Sequence, residues 1–237
     1  MHCFYCKAIG ATGSVALLDN DDRKHLFKTL RAELGNQVEL TNGEGVFAVA
    51  EVIDGHKLRI VTAETAPPPP VRIHLFIAPP RRQKMDILLK QCAEVGVWSI
   101  TPMLTERSVS APEKDAVLDR WQTILLEGCK QSKNPFLPTI ALPISFKAAV
   151  QQAAERRYRC FIGAVHASQQ PEAINDPSIT DAAWFVGPEG GFTPAEEEAM
   201  RQAGFAELRL GPWVLRVETA AVVGAAMLLR DLLAARQ

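Results

Sequence analysis

Apolar and polar residues alternate with a period of two along "QVELTNGEGVFAVAEVIDGHKLRIVTAE" (residues 37–64), interrupted at Asn42-Gly43 and Asp54-Gly55. Side chains of a strand point to opposite faces in turn, so the pattern predicts an antiparallel meander, with tight turns where asparagine, aspartate and glycine accept the left-handed backbone of a hairpin. An apolar stretch near Val15 to Leu18 precedes it, and a helix is expected around His25 to Leu34. The chain up to about residue 65 therefore reads as a small β-barrel. The run "APPPP", Ala66 to Pro70, cannot join a sheet interior and holds an extended spacer, which places a boundary between a domain of residues 1–68 and one of residues 71–237.

Beyond the prolines the period changes. "VRIHLFIA" reads as a strand, and "KMDILLKQCAEVG" as a helix with Met85, Leu88, Leu89, Cys92 and Val95 on one face and Gly96 at its end. "WSITPML", "CFIGAVH", "AAWFVG" and "ELRLG" read as further strands. "EKDAVLDRWQTILLEGCKQS", "SFKAAVQQAAERR" and "ETAAVVGAAMLLRDLLAA" read as helices between and after them. Thr193-Pro194-Ala195-Glu196 supplies an N-cap, a proline at the first helical position and a glutamate at the capping-box position for one more. Strands alternating with helices predict an α/β domain with a mostly parallel sheet.

Composition narrows the function classes. A chain of 237 residues with net charge -1 has no global basic signature, so any polyanion site must be a local patch, such as Arg23 to Arg31 or Pro79 to Lys84. No apolar run is long enough to span a membrane, and "MHCFYCKAIG" lacks the charged-then-apolar order of a secretory signal, so the cytoplasm is the expected address. Five cysteines at irregular spacing do not form a disulfide framework, and Cys3-x-x-Cys6 lacks the second ligand pair of a structural zinc site, so no metal is expected.

The chemistry concentrates in loops at the ends of predicted strands, where ligands bind in open parallel sheets. Three such loops contain glycine: "FIGAVHA", "VGPEGGF" and "LGPWVLR". If they converge, they make a small-molecule pocket walled largely by backbone. None has the G-x-G-x-x-G of a dinucleotide fold or the G-x-x-x-x-G-K-[ST] of a P-loop, and a glycine cluster by itself serves equally to turn a corner.

"GPEGGFTPAEE" followed about twenty residues later by "LRLGPWVLRVETAA" resembles the paired cofactor motifs of the SPOUT methyltransferases, and closely those of the 16S ribosomal RNA uracil-N3 methyltransferase (RsmE) family. "HLFKTLR", "KMDILLKQCAEVGV", "ITPMLTERSV" and "RWQTILLEGCKQS" match that family in order. The resemblance implies a PUA-like RNA-binding barrel (1–68) and a SPOUT domain (71–237) with a parallel sheet and a C-terminal trefoil knot. It further implies a homodimer, S-adenosylmethionine as methyl donor, and a uridine of small-subunit 16S ribosomal RNA as target.

Carried over onto this sequence, Gly163, Gly187, Pro188, Glu189, Gly190, Gly191, Leu210, Gly211, Leu215 and Thr219 would hold the cofactor. Arg216 would stabilise the charge that develops on uracil, with Glu189 and Glu218 as proton acceptors and His166 a weaker candidate. Arg23, Lys24, Lys28, Arg31, Arg81, Arg82, Lys84, Arg107 and Lys133 would contact RNA phosphates. Trp213 stands where the family usually carries a basic residue. A methyltransferase acting on another site of tRNA or 23S ribosomal RNA, and an RNA-binding assembly factor without catalysis, are the alternatives.

Overall fold

The computed structural model describes residues 1–109, 116–164 and 171–236. The chain forms two units, one of Met1–Pro68 with Leu126–Leu137 and one of Pro69–Leu125 with Pro138–Gln237.

In the first unit, β1 (Cys3–Tyr5), β2 (Val15–Ala16), β3 (Gln37–Thr41), β4 (Val46–Val52) and β5 (Leu58–Thr65) form one sheet in the order β1-β3-β4-β5-β2. The meander is antiparallel, whereas β1 pairs parallel to β3. The turns are built as their residues dictate. Asn42 Oδ1 accepts from the amides of Glu44 and Val46 at 2.8 and 2.9 Å, and Asp54 Oδ1 from those of His56 and Lys57 at 2.7 and 2.8 Å. Phe4, Leu26, Val38, Leu40, Ala50, Val52, Leu58 and Ile60 form the core.

The helix of this unit is shifted from its expected span. α1 (Asn20–Lys24) starts where Asp19 caps the amides of Asp21 and Asp22, and continues as a wider π-helical turn over His25–Thr29. It stops before Arg31, whose φ of 53° is left-handed, so Ala32 to Leu34 are not helical. The segment Leu126–Leu137 is fastened to the same unit. Gly45 N donates to Pro135 O at 2.9 Å, Leu137 N to Gly43 O at 2.8 Å, and Lys133 Nζ to Glu39 Oε1 at 2.7 Å.

The second unit is a parallel sheet with helices on both faces. Its elements are β6 (Arg72–Ile77), α2 (Arg82–Val95), β7 (Ser99–Leu104), the first part of α3 (Ala116–Ser132), whose residues from Leu126 on belong to the first unit, β8 (Thr139–Ile140), β9 (Ile144–Ser145), α4 (Phe146–Glu155), β10 (Arg159–Gly163), β11 (Asp181–Val186), α5 (Pro194–Gln202), β12 (Ala206–Leu208) and α6 (Val217–Ala234). The strand order is β12-β10-β11-β6-β7-β8, with β9 beside the end of β7. Side-chain alternation splits the core. Phe76 and Phe185 stack at 4.5 Å among Met103, Ala149, Ala153, Cys160 and Met200, under α4 and α5. On the other face α6 packs on β6 and β11 with α2 beside it.

At the starts of the central strands, opposite the loops, lies a polar tie. His74 Nε2 donates to Asp181 Oδ1 at 2.9 Å, Ser99 Oγ lies 2.7 Å from Nδ1, and Arg72 Nη2 donates to Asp181 Oδ2 at 2.6 Å. The His74 ring stacks on Tyr158 at 4.0 Å. An ionised Asp181 selects the neutral Nε2–H tautomer, which leaves Nδ1 to accept from Ser99. Burial holds the His74 pKa below its usual 6.5, against the pull of Asp181.

Candidate active site

Beyond the C-terminal ends of β10, β11 and β12, residues from all three glycine loops border one cavity of about 570 Å³. Gly163 and Ala164 come from the first loop, Gly187 to Phe192 from the second, and Leu210, Gly211 and Trp213 to Val217 from the third. The size falls in the range of small-ligand sites.

The middle loop owes its shape to its sequence. Gly191 N donates to Pro188 O at 2.8 Å, closing a turn, and Gly191 sits at φ 70°, a left-handed backbone that a side chain would strain. Gly187 leaves room for Phe192, whose ring would lie 3.1 Å from a Cβ there. The expected capping box forms: Glu196 N donates to Thr193 Oγ1 at 3.3 Å and Thr193 N to Glu196 Oε2 at 2.9 Å. The same buried carboxylate accepts from Glu106 N at 3.0 Å through Oε1, tying the turn after β7 to the start of α5.

The floor is Trp184, fully buried, with its Nε1–H donating to Ala220 O at 3.2 Å. Its indole lies over Gly163 of β10 and against Gly224 of α6. At the rim the apolar side chains of Trp213 and Val214 are 78% and 83% exposed. α6 begins at the cavity with Arg216 as its N-cap residue, so the amides of its first turn have no acceptor within the helix.

Of the residues expected at the cofactor, Gly163, Gly187, Pro188, Glu189, Gly190, Gly191, Leu210, Gly211 and Leu215 border the cavity. Thr219 is exposed on the first turn of α6 and does not border it. Arg216 and Glu189 border it and are exposed, and Arg216 makes no ion pair with a described residue. Glu218 does not border it: its Oε1 lies 3.4 Å from Lys84 Nζ of α2, the geometry of an ion pair. His166 lies outside the described residues. Sequence reading missed Trp184, Phe192, Glu197 and Ala220 as lining residues, since neither an apolar strand or helix position nor a lone loop phenylalanine or helical glutamate carries a mark of facing a cavity.

The expected phosphate contacts divide by partner. In the first unit, Lys28 and Arg31 are exposed, Arg23 donates to Asn20 Oδ1 at 2.8 Å, Lys24 pairs with Asp21 at 3.5 Å, and Lys133 pairs with Glu39. In the second, Arg81 and Arg82 are exposed at the start of α2, Lys84 is paired with Glu218, and Arg107 bonds the glycine loop. The buried thiols of Cys92, Cys129 and Cys160 are pushed up to about 12 by burial, so they stay protonated and are not nucleophiles.

Comparison with known proteins agrees with this architecture. Models of an RNA methyltransferase domain and an RNA methyltransferase PUA domain match residues 67–229 and 18–62. A ribosomal RNA small subunit methyltransferase E of Aquifex aeolicus is 29% identical over 94% of this chain and 96% of its own. Its Mycobacterium tuberculosis counterpart is 29% identical over 93% of this chain and 88% of its own. A crystal structure of the Neisseria gonorrhoeae ribosomal RNA small subunit methyltransferase E bound to S-adenosyl methionine superposes with a TM-score of 0.86, at 27% identity and 97% coverage of both chains. With its PUA and methyltransferase domains both matched, and with three strand-end loops closing on one cavity, this chain belongs to the RNA methyltransferase family.

Proposed function

We propose that the protein transfers a methyl group from S-adenosylmethionine to N3 of a uridine in the 16S RNA of the small ribosomal subunit. The observation that carries this reading is the single cavity walled by the three loops, with Arg216 at its edge, in a chain similar along nearly its whole length to small-subunit RNA methyltransferases. The residues fit the cofactor. Leu210 and Leu215 offer an apolar wall for adenine, Gly187, Gly190 and Gly211 keep the backbone uncovered, and the carboxylates of Glu189 and Glu197 suit a sulfonium cation. Bound there, the cofactor supplies an electrophilic methyl group.

N3 of uracil becomes nucleophilic on losing its proton, and the resulting charge spreads onto the two carbonyl oxygens. A guanidinium stays protonated at any physiological pH, and a fixed cation at a partly desolvated site opposes that charge without reorganising. Arg216 takes this role. Of the two expected proton acceptors, Glu189 lies at the cavity and takes the proton, whereas Glu218 is engaged by Lys84. Lys28, Arg31, Arg81 and Arg82 serve as phosphate contacts. The reading includes residues 1–68 as a PUA-like RNA-binding domain and 71–237 as a SPOUT domain with a threaded C-terminus. It also includes a homodimer acting in the cytoplasm; among the described residues no helix is long and apolar enough to cross a membrane.

The test is transfer of labelled methyl from S-adenosylmethionine to small ribosomal subunits of a strain lacking the enzyme, with nucleoside analysis of the product. The expected product is 3-methyluridine, and Arg216→Ala should lower kcat by about 10²–10³-fold with cofactor affinity kept. Cofactor binding without 3-methyluridine would remove the proposed target and leave the pocket.

A further inference from the structure

We infer that Arg107, which the sequence suggests as an RNA contact, is instead a positioning residue of the methyl-donor site; the inference rests on the cofactor reading above. Its Nη1 donates to two carbonyls of the glycine loop, Gly190 O at 2.8 Å and Phe192 O at 3.3 Å. One nitrogen with two hydrogens thus holds the carbonyls of the residues before and after Gly191, the residue at which the backbone turns left-handed.

The stem of Arg107 makes the same point independently. A Cβ on Gly190 would meet Arg107 Cδ at 3.4 Å and Cβ at 3.6 Å, so the arginine lies along the loop and occupies the side on which residue 190 has no side chain. The base of the arginine is itself fixed. Thr105 N donates to Ser108 Oγ at 2.9 Å and Ser108 N to Thr105 O at 3.1 Å, closing the turn that bears Arg107. Glu106 N donates to Glu196 Oε1 at the start of α5, so one turn holds both the C-terminal part of the loop and the helix that follows it.

The loop contributes six consecutive cavity residues, Gly187 to Phe192, and three of them are glycine. Such a backbone has many accessible conformations, and a ligand that needs one of them must bear the cost of selecting it. Arg107 bears that cost before the ligand arrives. Its Nη1 is thus committed to carbonyls of its own chain.

The test measures S-adenosylmethionine affinity by calorimetry, RNA affinity with a small-subunit RNA fragment, and the thermal midpoint without ligand, for the wild type, Arg107→Ala and Arg107→Lys. Arg107→Ala should weaken cofactor binding on the order of tenfold, with KM for the cofactor raised, kcat nearly kept and RNA affinity unchanged. Arg107→Lys keeps the charge but not the planar guanidinium, so it should hold RNA affinity and still bind cofactor weakly, and it serves alone if the alanine variant does not fold. Weakened RNA binding with unchanged cofactor affinity, or no change in either, would overturn the inference. A lowered thermal midpoint at unchanged cofactor affinity would overturn it too, as a structural role only. Wild-type protein that binds no S-adenosylmethionine would instead remove the cofactor reading on which the inference rests.

Discussion

Replacing Gly224 by alanine sets two effects of opposite sign against each other. By helix propensity alone, glycine to alanine inside α6 should stabilise by about 0.8–1.0 kcal/mol. The structure predicts the reverse. A Cβ at residue 224 would lie 2.6 Å from Trp184 Nε1, with Cε2 and Cζ2 nearer still, where carbon contacts are optimal at about 3.5–4.0 Å. The ring would have to move by roughly 1 Å, but it is fully buried, lies close over Gly163 as well and is held by its bond to Ala220 O. Overpacking of this kind costs about 1–3 kcal/mol, and loss of the indole hydrogen bond adds about 1 kcal/mol. After the helical gain is set against them, a net loss of about 1–3 kcal/mol remains. All four tryptophans lie in the second unit, so their fluorescence during urea unfolding reports that unit alone. Trp184→Phe in the Gly224→Ala background should be more stable than the two single losses combined, by about 1 kcal/mol or more. Because Trp184 and Ala220 border the cavity, cofactor affinity should fall as well. A Gly224→Ala protein stabilised by the propensity gain, with the cycle additive, would refute the argument.

Other outcomes follow from features already placed. Acid should loosen the second unit in two stages: the His74 pKa lies below 6.5 when folded, so its contribution is complete above pH 6.5 and lost as pH falls beneath it. For Asp181, burial raises the pKa but bonds from His74, Arg72 and Thr180 outweigh it and hold it below 3.8, so a second loss follows below pH 3.8. Thermal midpoints between pH 7 and 5 should fall for the wild type and fall less for His74→Gln; equal slopes would exclude His74 as the titrating group. Thr193→Ala should cost about 1 kcal/mol in urea unfolding through loss of the N-cap, and an unchanged midpoint would show that Glu196 holds the helix start without it.

What could be read from the sequence was local. The hairpins were legible because Asn42 and Asp54 satisfy neighbouring amides with their own side chains, and the start of α5 because Thr193 and Glu196 cap each other within three residues. The convergence of the three loops was legible because a parallel sheet places its strand ends side by side. What stayed hidden depended on partners distant in sequence. β1 is three residues long and shows no period, and its strand geometry comes from pairing with Glu39 to Thr41. Nothing beside Glu218 in the sequence announces that Lys84, far earlier in the chain, lies 3.4 Å from its carboxylate. Arg107 looked like one more surface cation because nothing in "LTERSV" announces two carbonyls some 80 residues later.

The return of Leu126–Leu137 to the first unit has a consequence for synthesis. A polypeptide emerges in order, so after Pro68 the ribosome must add roughly 70 more residues, about 4–14 s of elongation, before Leu137 is available. Through that interval the turn between β3 and β4 lacks the backbone partners at Pro135 and Leu137, and Glu39 lacks Lys133. The first module is thus begun early and finished late, and a gene fragment ending at the proline run would encode a barrel without its last strap.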